Sequence, residues 1–235
     1  NGGLMLPVMN KDIRYDDLSL YPVWKGKDNA NKDCLFFYST GNISLNQDPV
    51  TGMFTHQQNY YAAETYFYIS DQGTVRTIDK VTELTAAAGM QVTSFPNYAF
   101  CEKEAVNLIS SGSQWFGEAF IAGSSQTVNL PLESPDLAKP AQFSVSVAGR
   151  SSAQSAMSVS LNGGAGRNIS FDALDVSDPT TLYADHEVSG FTETLPGANL
   201  QMKLTYNASN SSSGAWLDYV AVNYQSLLTM NGDVY

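Results

Sequence analysis

Positive charge is scarce in this sequence. Lysine and arginine account for 12 of the 235 residues, against 23 aspartates and glutamates, so the formal net charge at pH 7 is −11. A protein that binds nucleic acid needs a surplus of cations to displace the counterions of the phosphate backbone. One that is drawn to an anionic membrane needs a basic amphipathic face. We therefore expect no nucleic acid and no membrane surface among the partners.

Long apolar runs are also missing. The longest extend over only a few residues, whereas about 20 are needed to span a bilayer as a helix, so we expect no membrane-spanning segment. The chain begins Asn1-Gly2-Gly3-Leu4, without an initiator methionine, a charged leader or an apolar signal core. We expect an excised piece or a processed product, whose catalytic residues could lie on sequence outside it.

Cysteine and histidine are nearly absent, which limits metal and nucleophile chemistry. A zinc site needs about four ligands, and neither CxxC nor HxxxH spacing occurs. Cys34 and Cys101 stand beside aromatic residues, which leaves both a disulfide and two buried thiols open. A cysteine nucleophile needs a histidine to deprotonate it, and His56 and His186 lie in polar, turn-like surroundings. We predict no catalytic residue and no bound organic cofactor in this chain.

Aromatic residues reach 11% of the chain, which argues against a disordered protein. Residues 142–147, 157–161 and 200–206 alternate apolar and polar side chains, a period typical of antiparallel strands with one buried face. Segments rich in Asn, Gly, Pro and Ser separate them and form turns. The sequence predicts an all-β fold whose C-terminal domain is an antiparallel, jelly-roll-like β-sandwich preceded by a smaller β-rich segment.

Three regions follow from this pattern. Residues 1–80 are predicted to be a β-rich segment, the end of a preceding β-domain. Residues 81–114 are predicted to be a linker with a short helix, because Glu102–Ile109 carries a weak apolar face and Val81–Ala88 a weaker one. Residues 115–235 are predicted to form the sandwich.

One acidic loop has the oxygen ligands that calcium prefers. Asp172, Asp175 and Asp178 follow one another at intervals of three residues and are the candidate calcium ligands. The spacing differs from that of an EF-hand loop, and carboxylates of an acidic protein are commonly just solvated. Both interpretations stay open.

Two aromatic residues are candidates for stacking on sugar rings, as in carbohydrate-binding β-sandwiches. Trp115 and Tyr183 are the side chains in question. The alternative is that such aromatics pack in the core, and the setting of Trp115 between Gln114 and Phe116 suits packing at least as well.

Several short motifs resemble, in the same order, the region that precedes the peptidase domain in the type IX secretion system sortase family of gingipain-like cysteine peptidases. A Trp-Phe-Gly-Glu motif at residues 115–118 is one of them. The others lie at residues 35–41, 54–61, 66–69, 147–152, 158–163, 204–207 and 214–219. Each motif alone is weak, and their shared order makes the set more specific.

The resemblance implies a non-catalytic module, because that family's Cys/His pair lies in a downstream domain. It implies a cell-surface, outer-membrane-associated or periplasmic protein exported by a Gram-negative bacterium. The partners would be its own downstream peptidase domain and exported protein substrates. The alternative is a carbohydrate-binding or adhesin module, which would bind glycans through Trp115 and Tyr183.

Overall fold

The computed structural model describes residues 20–38, 41–59, 64, 66–78, 89 and 91–229. These residues form thirteen β-strands and no helix, which confirms the predicted all-β class. Nothing in this part of the chain forms a helix that could cross a membrane. In chain order the strands are β1 (Trp24–Lys27), β2 (Asp33–Phe36), β3 (Ile43–Gln47), β4 (Phe54–Gln58), β5 (Ser94–Glu102), β6 (Ala119–Ile121), β7 (Ser125–Pro131), β8 (Pro140–Arg150), β9 (Ser155–Leu161), β10 (Arg167–Phe171), β11 (Asp185–Thr194), β12 (Asn199–Asn207) and β13 (Gly214–Leu227).

The chain divides into two compact units, Asn1–Gly89 and Met90–Tyr235. The first unit contains two antiparallel hairpins, β1–β2 and β3–β4. The Asp28 carboxylate closes the β1–β2 turn by accepting the backbone N–H groups of Ala30 and Lys32, each at 2.9 Å. Such an Asx turn explains why the short polar stretch between β1 and β2 reverses the chain here.

A third segment of the first unit, residues 66–78, runs beside the β1–β2 hairpin. The N–H of Val23 donates to the carbonyl of Arg76 at 2.9 Å, and the N–H of Ile78 donates to the carbonyl of Val23 at 3.1 Å. This parallel contact attaches the segment to the start of β1.

Two antiparallel sheets form the second unit. The four-stranded sheet has the order β10-β9-β12-β7, and the five-stranded sheet has the order β11-β8-β13-β5, with β6 also paired to β13. Their inner faces meet in one apolar core, because alternation with period two places every second side chain on that face. The largest fully buried side chains are Tyr206, Phe171, Met157, Leu200, Met202, Leu204, Leu217, Val145, Val147, Val159, Val220 and Val222. The unit is therefore a β-sandwich, and its jelly-roll-like connectivity stays a prediction.

A β-bulge in β13 decides which of its side chains face the core. Leu217 pairs with Val147 and Tyr219 pairs with Ser146, so Asp218 is an extra residue on β13. Core-facing side chains occupy odd positions before the bulge and even positions after it. The extra residue thus preserves apolar packing along all fourteen residues of the strand while turning Asp218 towards the outer face.

The region predicted as a linker contains part of the sandwich. β5 lies within residues 81–114 and pairs with β13 along its whole length. The helix predicted at Glu102–Ile109 is wrong: β5 ends at Glu102, and Val106 forms an antiparallel bridge with Phe116. Two helical turns without a packing partner are too short to be stable, and pairing within the second unit is available instead. The weaker candidate, Val81–Ala88, lies outside the described residues.

Close packing between the sheets gives a first testable prediction. A Cβ atom at Gly149 on β8 would lie 2.5 Å from two ring carbons of the buried Phe171. Gly149→Ala therefore forces that ring out of position, and we expect the free energy of unfolding to fall by about 1–3 kcal/mol. Urea denaturation followed by circular dichroism measures it.

The matched control is Gly190→Ala on β11. A Cβ atom there would meet only the Phe143 carbonyl oxygen, at an ordinary distance of 3.6 Å, so we expect a change within about 0.5 kcal/mol. Equal losses in the two variants would contradict the packing described for Gly149.

Candidate functional site: a polar cluster beneath a covering segment

Residues 103–118, here named the cover segment, connect β5 to β6. The N–H of Val106 donates to the carbonyl of Phe116, and the N–H of Phe116 donates to the carbonyl of Val106, both at 2.8 Å. The N–H of Gly117 donates to the carbonyl of Leu217 on β13 at 2.7 Å. Backbone hydrogen bonds thus join the two halves of the cover segment to each other and attach the segment to β13 in the five-stranded sheet.

The Trp-Phe-Gly-Glu motif lies in the cover segment, and three of its residues have structural roles. Phe116 is only 4% exposed and meets the His186 ring edge-on, with centroids 6.0 Å apart. A Cβ atom at Gly117 would lie 2.9 Å from the Cβ of Lys103, so glycine permits this close approach. Glu118 forms an ion pair with Lys103.

Three polar side chains meet beneath the cover segment. Ser146 lies on β8, His186 on β11 and Asp218 on the bulge of β13. The Ser146 hydroxyl, which is completely buried, donates to Asp218 Oδ2 at 2.7 Å. Its oxygen lies 2.8 Å from His186 Nε2. Ser146, His186, Asp218 and the nearby Glu104 are named the polar cluster.

The hydrogen bonds determine the tautomer of the histidine. Because the Ser146 hydroxyl proton points to Asp218, the Ser146 oxygen accepts, and His186 must donate from Nε2. The side-chain amide nitrogen of Gln114 lies 3.3 Å from His186 Nε2 and 3.4 Å from Nδ1. With the ring proton on Nε2, Nδ1 is the nitrogen that can accept from this amide. Both ring nitrogens of His186 are therefore engaged.

This order of contacts differs from that of a catalytic triad. In a triad the histidine lies between the carboxylate and the serine, and the hydroxyl faces substrate. Here Ser146 lies between His186 and Asp218, whose Nε2 and Oδ2 atoms are 3.6 Å apart. A buried hydroxyl that already donates to a carboxylate is not an activated nucleophile. The cluster instead connects three neighbouring strands.

Glu104, at the start of the cover segment, is the most perturbed carboxyl group of the cluster. Burial raises its pKa to about 7, helped by a hydrogen bond with Glu102 and by the negative charges of Glu102 and Asp218. Its Oε2 atom is buried and lacks a hydrogen-bond partner among the described residues. Below about pH 7, the protonated form of Glu104 is therefore favoured in the folded protein.

Both cysteines of the sequence lie in the part of the chain that the structure describes. Cys34 and Cys101 are both free thiols, so the disulfide that the sequence left open is not formed. Burial raises the pKa of Cys101, with the charge of Glu118 adding to the effect against that of Lys103, which disfavours the nucleophilic thiolate.

Both histidines lie on strands, although their polar surroundings in the sequence had suggested turns. His56 lies on β4 and His186 lies on β11. Polar neighbours on these strands reflect the solvated face of a sheet and not a loop, and sequence alone does not separate the two.

The structure does not gather the predicted calcium ligands into a site. In the part of the chain that the structure describes, no three His, Cys, Asp or Glu side chains are grouped to hold a metal ion. Asp175 accepts from the Ser177 hydroxyl at 2.6 Å, and Asp178 from the Thr180 hydroxyl at 2.7 Å. These bonds lower the pKa of both carboxyl groups.

The third candidate, Asp172, lies just after β10, where its N–H donates to the Asp185 carboxylate at 2.7 Å. The Asp175 and Asp178 carboxylates close turns of their own loop. Calcium binding by Asp172, Asp175 and Asp178 stays a prediction.

The two candidate sugar-binding aromatics are both partly exposed, Trp115 at 40% and Tyr183 at 42%. The Arg150 guanidinium covers one face of the Tyr183 ring, 4.2 Å from its centroid. Trp216 packs beside the same ring, with centroids 6.4 Å apart. Tyr183 therefore offers less than a full stacking face, whereas Trp115 projects from the cover segment.

The polar cluster was not predicted from the sequence. Its members are separated by up to 114 positions, from Glu104 to Asp218, and only strand pairing brings them together. One local signal existed: the alternation of β13 breaks at Asp218-Tyr219, which is the sequence signature of a bulge. Bulges often direct a polar side chain to a particular partner.

The fold of this chain is similar to part of a solved structure. The crystal structure of dimeric latent PorU from Porphyromonas gingivalis matches 98% of this chain and 22% of that chain, with a TM-score of 0.76 and 24% sequence identity. The likeness concerns the fold, and this chain spans about a fifth of the length of PorU. No protein-family model matches the sequence, and no curated protein does.

Two other solved structures are far less similar. A carbohydrate-binding module of family CBM36 in complex with calcium and xylotriose matches 55% of this chain and 98% of that chain, with 13% identity and a TM-score of 0.34. The insecticidal delta-endotoxin Cry8Ea1 from Bacillus thuringiensis matches 88% and 38%, with 15% identity and a TM-score of 0.36. TM-scores this low carry no argument about function.

The raised pKa of Glu104 predicts a pH-dependent stability. Because its folded pKa of about 7 exceeds the ordinary glutamate pKa of 4.5, its proton stabilises the folded state below pH 4.5, and this contribution is lost as the pH rises through 7. Glu104→Gln removes the titration. We expect the variant to gain stability relative to the native chain between pH 4.5 and 8, as urea denaturation at several pH values would show.

Glu187→Gln, which changes an exposed residue of β11, is the matched control and should show no such pH-dependent difference. A Glu104→Gln curve parallel to that of the native chain would contradict the assignment.

Proposed function

We propose that this chain is a non-catalytic β-sandwich module of an exported, type IX secretion sortase-like cysteine peptidase. The module positions the peptidase domain or docks its protein substrates. The observation that carries the proposal is the PorU-like fold, which extends over 98% of the chain. PorU is a type IX secretion sortase, so the fold supports membership of a type IX secretion protein.

The ordered motifs support the same proposal. The Trp-Phe-Gly-Glu motif builds the cover segment, with Phe116 buried against His186 and Gly117 bonded to β13. The motif at residues 214–219 contains the bulge that directs Asp218 to Ser146. Residues shared with the sortase family thus occupy positions that maintain the module's architecture.

The chemistry of the described residues favours a structural role. The Ser146 hydroxyl is buried and committed to Asp218, and burial raises the pKa of the Cys101 thiol. Neither group is prepared to attack a peptide bond. Any peptidase activity would then belong to the downstream domain that the resemblance implies.

The carbohydrate-binding alternative has weaker support. Aromatic platforms stack on sugars through an open ring face, and the Tyr183 ring has one face under Arg150. Trp115 is the better candidate of the two, but one exposed ring offers only one stacking surface.

We propose that the protein is exported to the cell surface, the outer membrane or the periplasm. The PorU-like fold that supports the proposed module also supports this export.

The proposal predicts the behaviour of the isolated chain. We expect no hydrolysis of fluorogenic peptides by the purified 235-residue protein, and no change with Cys34→Ser or Cys101→Ser. Retardation in affinity gels containing soluble polysaccharides should be absent and unaffected by Trp115→Ala. The coding sequence that follows Tyr235 should encode a domain with a Cys/His pair.

Three outcomes would contradict this proposal. Peptide cleavage that disappears in either cysteine variant would make the chain itself a peptidase. Polysaccharide binding lost on Trp115→Ala, with the fold retained, would support the carbohydrate-binding alternative. A stop codon directly after Tyr235 would remove the peptidase domain.

A further inference from the structure

The first unit contains a half-open cavity of about 390 Å³. The β1–β2 hairpin and its flanking residues form one side, and residues 67–76 form the other, starting from the contact between Val23 and Arg76. The volume lies in the range of small-ligand sites and accommodates one or two side chains, not a folded domain.

Aromatic rings form the apolar wall of this cavity. Tyr21 meets Phe37 and Phe67 edge-on, with centroids 6.0 Å and 5.4 Å apart, and Phe37 lies 5.3 Å from Phe67. All three line the cavity. Their mutual packing holds the rings in place, so an apolar guest meets a preformed surface.

Exposed apolar side chains surround the opening. Leu35, Phe37, Tyr68, Ile69 and Val75 line the cavity and are each 44% to 83% exposed. A concentration of exposed apolar side chains on one small unit is typical of a protein-interaction site. A small molecule confined to the cavity would leave this surface uncovered, whereas a peptide passing across it would cover it.

The charge of the cavity is opposite to that of the chain. Lys25 and Arg76 line it with a single acidic residue, Asp71, although the whole chain carries a net charge of −11. Within the described residues, neither cation takes part in an ion pair, whereas the neighbouring Lys27 pairs with Asp33 at 3.4 Å. Two cations that form no ion pair with a described residue, beside an aromatic wall, suit a carboxylate next to an apolar group.

Two of the four strand edges of the sandwich, β5 and β7, are less suited to binding a peptide. Pro96 lies in β5 and Pro131 in β7, the edge strands at one side of the two sheets. Proline has no N–H to donate to an added strand, and natural proteins use it to block edges.

We propose that the cavity of the first unit binds an extended peptide segment of a partner protein, with an aromatic side chain against Tyr21, Phe37 and Phe67 and an acidic side chain beside Lys25 and Arg76. The half-open shape admits a continuous chain, so the carboxylate is that of an internal Asp or Glu. The inference rests on the proposed docking function only for the source of the peptide, an exported protein substrate.

The probe is a fluorescein-labelled peptide, Ser-Gly-Phe-Glu-Gly-Ser with a blocked C-terminus, titrated with the whole 235-residue chain by fluorescence anisotropy. We expect saturable binding with a Kd below about 1 mM. Replacing the peptide's Phe by Ala or its Glu by Gln should each weaken binding at least about fivefold. A free C-terminal carboxylate on the Gln peptide should not restore it.

Charge reversal tests the cationic side without disturbing the aromatic wall. Lys25→Glu with Arg76→Glu should weaken binding of the probe at least about tenfold, and a probe whose Glu is replaced by Lys should bind this variant better than it binds the native chain. The matched control is Lys32→Glu, an exposed lysine of the β1–β2 turn outside the cavity. It should change the affinity less than about twofold.

The charge exchange keeps the test independent of folding, because a misfolded variant would not gain affinity for the lysine probe. Absence of binding at 1 mM, as an order-of-magnitude limit, would overturn the inference, as would equal effects of Lys32→Glu and the double variant. Peptide binding without a downstream peptidase domain would refute the proposed module and leave this inference standing. A downstream peptidase domain in a protein that does not bind the peptide would leave the proposed module standing and refute this inference.

Discussion

The bulge at Asp218 is the constraint on which much of the second unit depends. β13 pairs with β8 on one side and with β5 and β6 on the other. The side chains of β13 that face the core must therefore fit beside those of three neighbouring strands. One extra residue between Leu217 and Tyr219 changes the core-facing positions of β13 from odd to even. The same residue provides the carboxylate that accepts the buried Ser146 hydroxyl. Packing and polar contacts of the central strand are therefore set at one position.

The polar cluster and the cover segment depend on each other. Phe116 lies against His186, while Gly117 bonds to Leu217 beside the bulge. A polar network stabilises a fold only when its buried members are satisfied. Among the described residues, Glu104 Oε2 is the buried side-chain atom without a hydrogen-bond partner, and the raised pKa of Glu104 favours its neutral form below about pH 7. The side chains that looked most like catalytic machinery thus hold three strands and a connecting segment in place.

The sequence was most informative where local periodicity decides the structure. Alternation at residues 142–147, 157–161 and 200–206 predicted strands that became β8, β9 and β12, because burial of one sheet face requires this period. It failed at Glu102–Ile109, where pairing within the second unit overrides a weak helical pattern. The polar cluster was out of reach because its residues meet only through strand register, and register is set by long-range packing.

Ser146, His186 and Asp218 hold neighbouring strands together and do not form a catalytic relay. The most direct measurement is the tautomer of His186, from long-range proton–nitrogen correlation spectra of the ring in the whole chain at neutral pH. Because the Ser146 hydroxyl donates to Asp218 and lies 2.8 Å from His186 Nε2, we expect a proton on Nε2. A proton on Nδ1 with a bare Nε2 would mean that the serine donates to the histidine, as a nucleophile does to its base, and would contradict the account.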